Sequence, residues 1–323
     1  MAGWLFYGAG KGAFLIMINE YAVEPAALNN WQDFRYVYDQ VGVEHGRLIS
    51  RFPGKWARMV MAACSENPQL RDVERSYIEI KLRNLEKNKM AKLNRTYDPE
   101  NNWMNNVEVQ QRQRPFHAVL ARNKELKITN ILNIDELEDS QPLWKVPKDQ
   151  VVPRKAYELA CCAKLLLHIS KEILVIDPHF DPEKPRFLET FSHLIKFAFE
   201  EHAPKRIELH VEYDYWKEQK RETDWQEDCS RNLPSLIPEG FTMLVFRWES
   251  KASGDKPHAR YVLTELGGIR YDYGLDEWEG KGRTTDVSLL STSLYEQRWR
   301  DYHRETAAFE LIGTPLIIGG TRK

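Results

Sequence analysis

Residues 173–180 read ILVIDPHF: four apolar residues, Ile173 to Ile176, then Asp177-Pro178-His179-Phe180. Three of the four apolar residues are β-branched and no polar residue alternates with them, so the segment predicts a strand buried on both faces. That is the signature of a parallel sheet covered by helices on either side. Asp177-Pro178 stops the strand, because the residue before a proline and the proline itself break regular structure.

Working outward, residues 154–169 predict a helix before this strand. After it, Phe187, Phe191, Leu194, Ile195 and Ala198 recur at helical spacing. Ile207, Leu209, Val211 and Tyr213 alternate with polar residues as in a strand. A polar helical stretch, 222–237, leads to a strand over Met243–Trp248. Two more strands, Arg260–Leu263 and Ile269–Tyr273, flank a Gly267-Gly268 turn, and a helix (292–304) and a strand (Phe309–Ile318) follow. Strands alternating with helices define an α/β fold, a mixed sheet covered on both faces. Upstream, Phe14–Val23 and Phe116–Leu120 predict strands, and residues 29–66 predict mostly helix. Leu70, Val73 and Tyr77, then Ile78, Leu82 and Leu85, recur at spacings of three and four and place a helix over 70–93. Residues 1–150 therefore predict an α-rich α+β module and residues 151–323 the α/β domain. The boundary is drawn through Pro142, Pro147 and Pro153, which break helices and strand ladders alike.

Composition bounds the function. With 323 residues and 42% hydrophobic residues the chain can bury a sizeable core. No apolar run approaches the ~18 residues of a membrane span, and residues 1–20 lack a secretion-signal pattern. Four cysteines, two of them adjacent (Cys161, Cys162), do not make a disulfide framework, so a cytoplasmic location is expected. Net charge is −2, too near zero for a dedicated DNA-binding protein. The basic stretch KLRNLEKNKMAKLNR, 81–95, suits either phosphate neutralisation or a solvated helix face.

The sharpest pattern is His258-Ala259-Arg260-Tyr261-Val262-Leu263-Thr264-Glu265, of the form His-x-basic-x4-acid. Residues i and i+2 of a strand share a face, which puts imidazole and guanidinium side by side. The imidazole can attack phosphorus or protonate a leaving oxygen, and the guanidinium can grip the non-bridging oxygens. An acid seven residues on can orient a ring nitrogen. The motif follows a polar loop, Ser253-Gly254-Asp255-Lys256-Pro257. Asp177 and His179, at the carboxyl end of a buried strand, lie where open α/β sheets bind ligands, or else form a helix-capping loop.

The stretch His258 to Asp276, HARYVLTELGGIRYDYGLD, resembles the His-x-Lys-x4-Asp signature of the phospholipase D superfamily, with arginine for lysine and glutamate for aspartate. With Gly274-Leu275-Asp276 it is closer to the phospholipase-D-like domain at the C-terminus of MIT-domain proteins, and ILVIDPHF resembles the opening strand of such domains. The resemblance covers residues 155–323. It implies metal-independent phosphodiester chemistry with His258 as nucleophile or acid, Arg260 on the phosphate and Glu265 as orienting acid. Asp177, His179, Lys256 and Asp276 would line the substrate. Active members pair two such motifs, so a single copy implies a homodimer, and MIT-associated members bind phosphorylated head groups instead. The Gly-Ser-x-Asn element of active members is absent. The expectation is a cofactor-free, metal-free nuclease of the kind found in prokaryotic antiviral systems. Its partners would be DNA or RNA, a second copy, and a helicase or ATPase, and no membrane; the alternative is a non-catalytic phosphate- or nucleic-acid-binding or partner-docking module.

Other patterns are weaker. Gly8-Ala9-Gly10-Lys11-Gly12 lacks the spacing and the Ser/Thr of a phosphate loop. Asp72 with Glu79-x-Lys81 has a nuclease-like spacing but a helical pattern. No Cys-x2-Cys or His-x3-His pair supports a metal, and His168 and His193 read as helix residues. Arg112, Arg114 and His117 could form a polar cluster. Arg47–Trp56 mixes basic and aromatic residues, as in single-strand binding or a helix packing seam.

Overall fold

The computed structural model describes residues 16–122, 128–213, 222–252, 254, 256–278, 280 and 282–323. The first sheet contains β1 (Asn19–Val23), β2 (Arg47–Ser50), β3 (Met90–Ala91), β4 (Ala118–Ala121) and β5 (Ile131–Asn133), in the order β3-β2-β1-β4-β5. Every pairing in it is parallel. Helices α1 (Trp31–Gln40), α2 (Trp56–Glu66), α3 (Asp72–Asn88) and α4 (Trp103–Gln113) connect these strands. The N-terminal part is thus more regularly α/β than its periodicity predicts. β2 and β3, four and two residues long and buried throughout, show no alternation by which to distinguish them from helix.

The second sheet starts with β6 (Asp149–Pro153), followed by α5 (Ala156–Cys162), α6 (Lys164–Ile169), β7 (Glu172–Ile176), α7 (Pro185–Glu200) and β8 (Arg206–Glu212). Then come α8 (Glu222–Asn232), β9 (Thr242–Glu249), β10 (Arg260–Thr264), β11 (Gly267–Tyr271), β12 (Thr284–Leu289) and α9 (Thr292–Asp301). Last are β13 (Glu310–Leu311) and β14 (Leu316–Gly319). The order is β13-β9-β8-β7-β10-β11-β12-β6, with β14 also on β9. β7, β8 and β9 are parallel; the remaining pairs are antiparallel. The proline-bearing stretch 149–153 is a strand after all. Among the described residues it pairs with β12 alone, at the sheet edge, where proline is tolerated.

Both faces of this sheet are covered, as the apolar β7 requires. Ile173, Val175, Val262, Ile269, Leu209 and Val245 pack with α5–α8 on one face. Leu174, Ile176, Tyr261, Leu263, Phe246 and Trp248 pack on the other with Leu290, Tyr302 and Phe309. The two sheets share a core, because Met17, Ile18, Val43, Leu48 and Ala91 join the first of these clusters. Among the described residues no helix is long and apolar enough to cross a membrane.

Candidate functional site at the carboxyl end of β7

The antiparallel register pairs Ile176 of β7 with Tyr261 of β10. One step further along the ladder puts Asp177 beside Arg260, with Nε 4.0 Å from Oδ1. Directly opposed antiparallel residues share a face, so both side chains stand on the α5–α8 face, beyond the last apolar rung. Arg260 Nη1 donates to the carbonyls of His258 (3.0 Å) and Asp272 (3.4 Å). Its Nε is buried with no hydrogen-bond partner among the described residues.

Asp177 is 1% exposed. Its Oδ1 accepts from the His179 amide and its Oδ2 from the Leu275 amide, both at 3.0 Å. Burial pushes its pKa up, and the two amides and Arg260 pull it back. The Leu275 contact ties the strand end to the loop after β11, where Gly274 has φ +116°. A Cβ there would lie 2.9 Å from Asp276 Oδ1, 3.6 Å from Asp177 Oδ2 and 3.8 Å from Arg260 Nε. Glycine lets the backbone close to within contact of all three groups.

Asp276, also buried, bonds Arg154 Nη2, and Arg186 Nε stands 3.6 Å from its Oδ2. Arg154 follows β6 and Arg186 sits in the first turn of α7. Backbone bonds fix both, from the Trp278 amide to the Arg154 carbonyl and from the Glu277 amide to the Arg186 carbonyl, each 2.9 Å. Three guanidiniums therefore meet two carboxylates. Among the described residues Arg154 Nε and Arg186 Nε, like Arg260 Nε, are buried without a hydrogen-bond partner. The excess among these five groups is positive, which favours an anion. Sequence reasoning missed Arg154 and Arg186. They come from distant elements, and no spacing marks them.

His258 is exposed, just before β10. Its Nδ1 lies 2.9 Å from the Lys256 carbonyl. A carbonyl only accepts, so this contact assigns the proton to Nδ1 and the lone pair of the neutral ring to Nε2. Lys256 meets His258 through its backbone and is itself exposed. His179 is exposed two residues beyond Asp177. Asp177, Arg260 and Asp276 are thus brought together, with the His179 and His258 backbones bonded to the first two.

Glu265 is not part of this group. It lies past the other end of β10, about 17 Å from Arg260 at strand rise. Its carboxylate accepts from the amides of Lys171 (2.8 Å) and Glu172 (3.0 Å), at the start of β7. The x4 spacing that makes it look like an orienting acid carries it instead to the far edge of the sheet, so it cannot orient His258.

Most of the remaining candidates are otherwise engaged. In Arg47–Trp56, Arg47 is buried, donating to Trp144 O at 2.6 Å, and Phe52 and Trp56 pack inward with Trp56 Nε1 donating to Val23 O at 2.6 Å, while Arg51 and Lys55 are exposed and line a cavity with Arg58 and Arg83. In the basic stretch 81–95, Arg95 is buried on Glu20 (2.5 Å) and Lys81 and Lys89 lie over the Tyr38 ring, which leaves no continuous cationic face. Asp72 and Glu79 pair with Arg75 and Arg83 on α3. Arg112 pairs with Glu108, Arg114 with Glu201, and His117 Nε2 lies 3.1 Å from the Leu143 carbonyl. Gly8–Gly12, Ser253 and Asp255 lie outside the described residues. Among the described residues no group of three or more His, Cys, Asp or Glu is placed to hold a metal ion, and the four cysteines are free and buried.

No family model matches the chain and no curated protein matches it. Among solved structures the chain is similar to an archaeal chromatin protein, TrmBL2, described as showing a novel mode of DNA binding. The TM-score is 0.26 and the identity 12%, over 55% of this chain and 57% of that one.

Proposed function

We propose that this chain is a metal-independent phosphodiesterase acting on nucleic acid, with its centre at the carboxyl end of β7. The observation that carries the reading is Arg260, its Nε without a hydrogen-bond partner among the described residues beside the buried Asp177, next to an exposed His258 with its lone pair on Nε2. The His258 Nε2 lone pair forms a bond to phosphorus while the bond to the leaving oxygen breaks. Arg260 neutralises the charge gathering on the non-bridging oxygens. The leaving oxygen takes a proton from a general acid, and water then hydrolyses the phosphohistidine. His179, on the same strand end as Asp177, supplies the acid within one chain. The motif of a second copy in a homodimer is the source the family resemblance implies. A cytoplasmic setting, a prokaryotic antiviral role and a helicase or ATPase partner belong to the same reading.

One observation favours the alternative of phosphate recognition without cleavage: with Glu265 at the far end of β10, no carboxylate among the described residues is bonded to the His258 ring. A cleavage assay on labelled DNA and RNA in excess EDTA separates the two. Loss of cleavage in His258→Ala, with the fold and oligomer unchanged, supports the phosphodiesterase. No turnover by the wild type, with saturable phosphate-dependent binding that disappears in Arg260→Ala, supports recognition alone. A wild type that neither cleaves nor binds overturns both.

A further inference from the structure

Helix α3 has two apolar stripes. Ile78, Leu82 and Leu85 are buried against the first sheet. The other stripe, Val73, Tyr77 and Ile80, is 64%, 53% and 64% exposed. Val73 and Ile80 point away from the core, and Tyr77, half exposed, sets its ring 5.8 Å from that of Trp31 at the rim. At 100° per residue the three lie within a 60° arc, a narrow seam of the kind that packs on one other helix.

The charges beside this seam identify the helix. Asp72 and Arg83 border it on one side, and Glu74 and Lys81 on the other. Place a second α3 antiparallel on the first, with a two-fold axis passing between Tyr77 and Ile78. Each flank then faces its own copy in reverse order. Asp72 meets the partner's Arg83 twice in the pair, whereas Glu74, bonded to Arg71, and Lys81, over the Tyr38 ring, are engaged within their own chain. A parallel pairing puts the Asp72 and Arg83 of the two copies on opposite sides of the seam and forms neither contact. The Asp72 and Arg83 side chains, 97% and 76% exposed, can each reach across without unburial.

We infer that the chain self-associates through α3, as an isologous antiparallel helix pair built on Val73, Tyr77 and Ile80. The apolar seam supplies the affinity. The exposed charges, worth little individually, choose direction and register. The dimer also differs from one that shares a catalytic centre. Asn84 and Asn88, at the end of α3, line a cavity of about 350 Å³ with Glu265, and Glu265 marks the end of β10 remote from Arg260. Pairing through α3 therefore keeps the two His258–Arg260 sites apart, and each must act alone.

Cysteine cross-linking tests the register. In Tyr77→Cys the two introduced thiols sit one residue apart along the paired axes, about 1.5 Å of rise, whereas in Val73→Cys they are nine residues apart, about 14 Å. A short bifunctional maleimide is expected to convert Tyr77→Cys to covalent dimer at least tenfold faster than Val73→Cys. Analytical ultracentrifugation of uncross-linked protein should show a concentration-dependent dimer. Asp72→Arg should weaken it, and adding Arg83→Asp should restore it. Equal cross-linking at positions 73 and 77, a wild type that stays monomeric throughout, or a dimer indifferent to Asp72→Arg each overturns the inference. These readouts involve no phosphate and no cleavage, so their failure is separate from failure of the phosphodiesterase reading.

Discussion

Arg260 and Asp177 face each other across the β7–β10 ladder, one rung beyond the last apolar pair, with Nε 4.0 Å from Oδ1. The carboxylate is fully buried and the guanidinium about one-fifth exposed, so charge is balanced inside while a cation reaches the surface.

Removing that cation is expected to destabilise the fold as well as the site. Arg260→Ala leaves Asp177 buried without its counter-charge, a loss of about 2 kcal/mol after allowing for the partial exposure of the arginine. Arg260→Lys keeps a charge but not the fork that holds the His258 and Asp272 carbonyls, and should fall between. Burial already raises the Asp177 pKa; without Arg260 it rises further. A carboxylate with a raised native pKa stabilises the fold below its unfolded pKa and loses that contribution as pH rises through the native value. The gap between Arg260→Ala and wild type should therefore narrow as urea titrations move from pH 7 toward pH 4. A constant gap would show that no such coupling exists.

Gly274→Ala probes the closest approach in the site. The new methyl is forced to φ +116° and within 2.9 Å of Asp276 Oδ1, a strain of about 1–3 kcal/mol. Thermal melts should record the loss, and binding of inorganic phosphate should weaken at least tenfold while Gly240→Ala, which meets no neighbouring atom within 4 Å, leaves phosphate binding unchanged.

Glu265→Gln distinguishes a structural acid from a catalytic one. Glutamine offers one acceptor where two amides, of Lys171 and Glu172, now have one each. The cost should be about 1 kcal/mol, with phosphate binding and any cleavage unaltered. A loss of activity greater than the loss of stability would return Glu265 to the site.

Acid should destabilise the protein through its buried histidines. Trp248 Nε1 donates to His210 Nδ1 at 2.9 Å, so the ring proton is on Nε2, 3.1 Å from Glu208 Oε2. Protonating Nδ1 would set two donors against each other. Burial lowers the pKa of His210, and also of His45, His117 and His168. A lowered native pKa gives full stability above the unfolded value of about 6.5 and a loss as pH falls below it, up to about 1.4 kcal/mol per unit for each group. Melting temperature is expected to drop between pH 6.5 and 5, and His210→Gln to flatten the drop. An unchanged slope in the variant would exclude His210 as a contributor.

Legibility in the sequence followed segment length and burial. The apolar run of β7, the alternation in β8 and the β10–β11 hairpin were readable because each buries enough consecutive side chains to leave a period, and the α/β class follows from them. β2, β3 and β5 are only two to four residues long. Too few side chains mark them, and the parallel ladder that makes them strands is formed by residues far away in the chain. Val73 and Tyr77 fit the same helical period as the true core residues, because periodicity places residues on faces without saying which face is covered.

By itself, then, the sequence determined the local propensities of the second half and the closeness of His258 to Arg260 along the chain, because residues two apart need no folding to be neighbours. Tertiary structure alone decided that Asp177 meets Arg260, that Arg154 and Arg186 meet Asp276 beside them, and that Glu265 departs from the site. Side chains from separate elements meet only where strand register and helix packing put them, and a strand carries each successive residue about 3.3 Å further from the last.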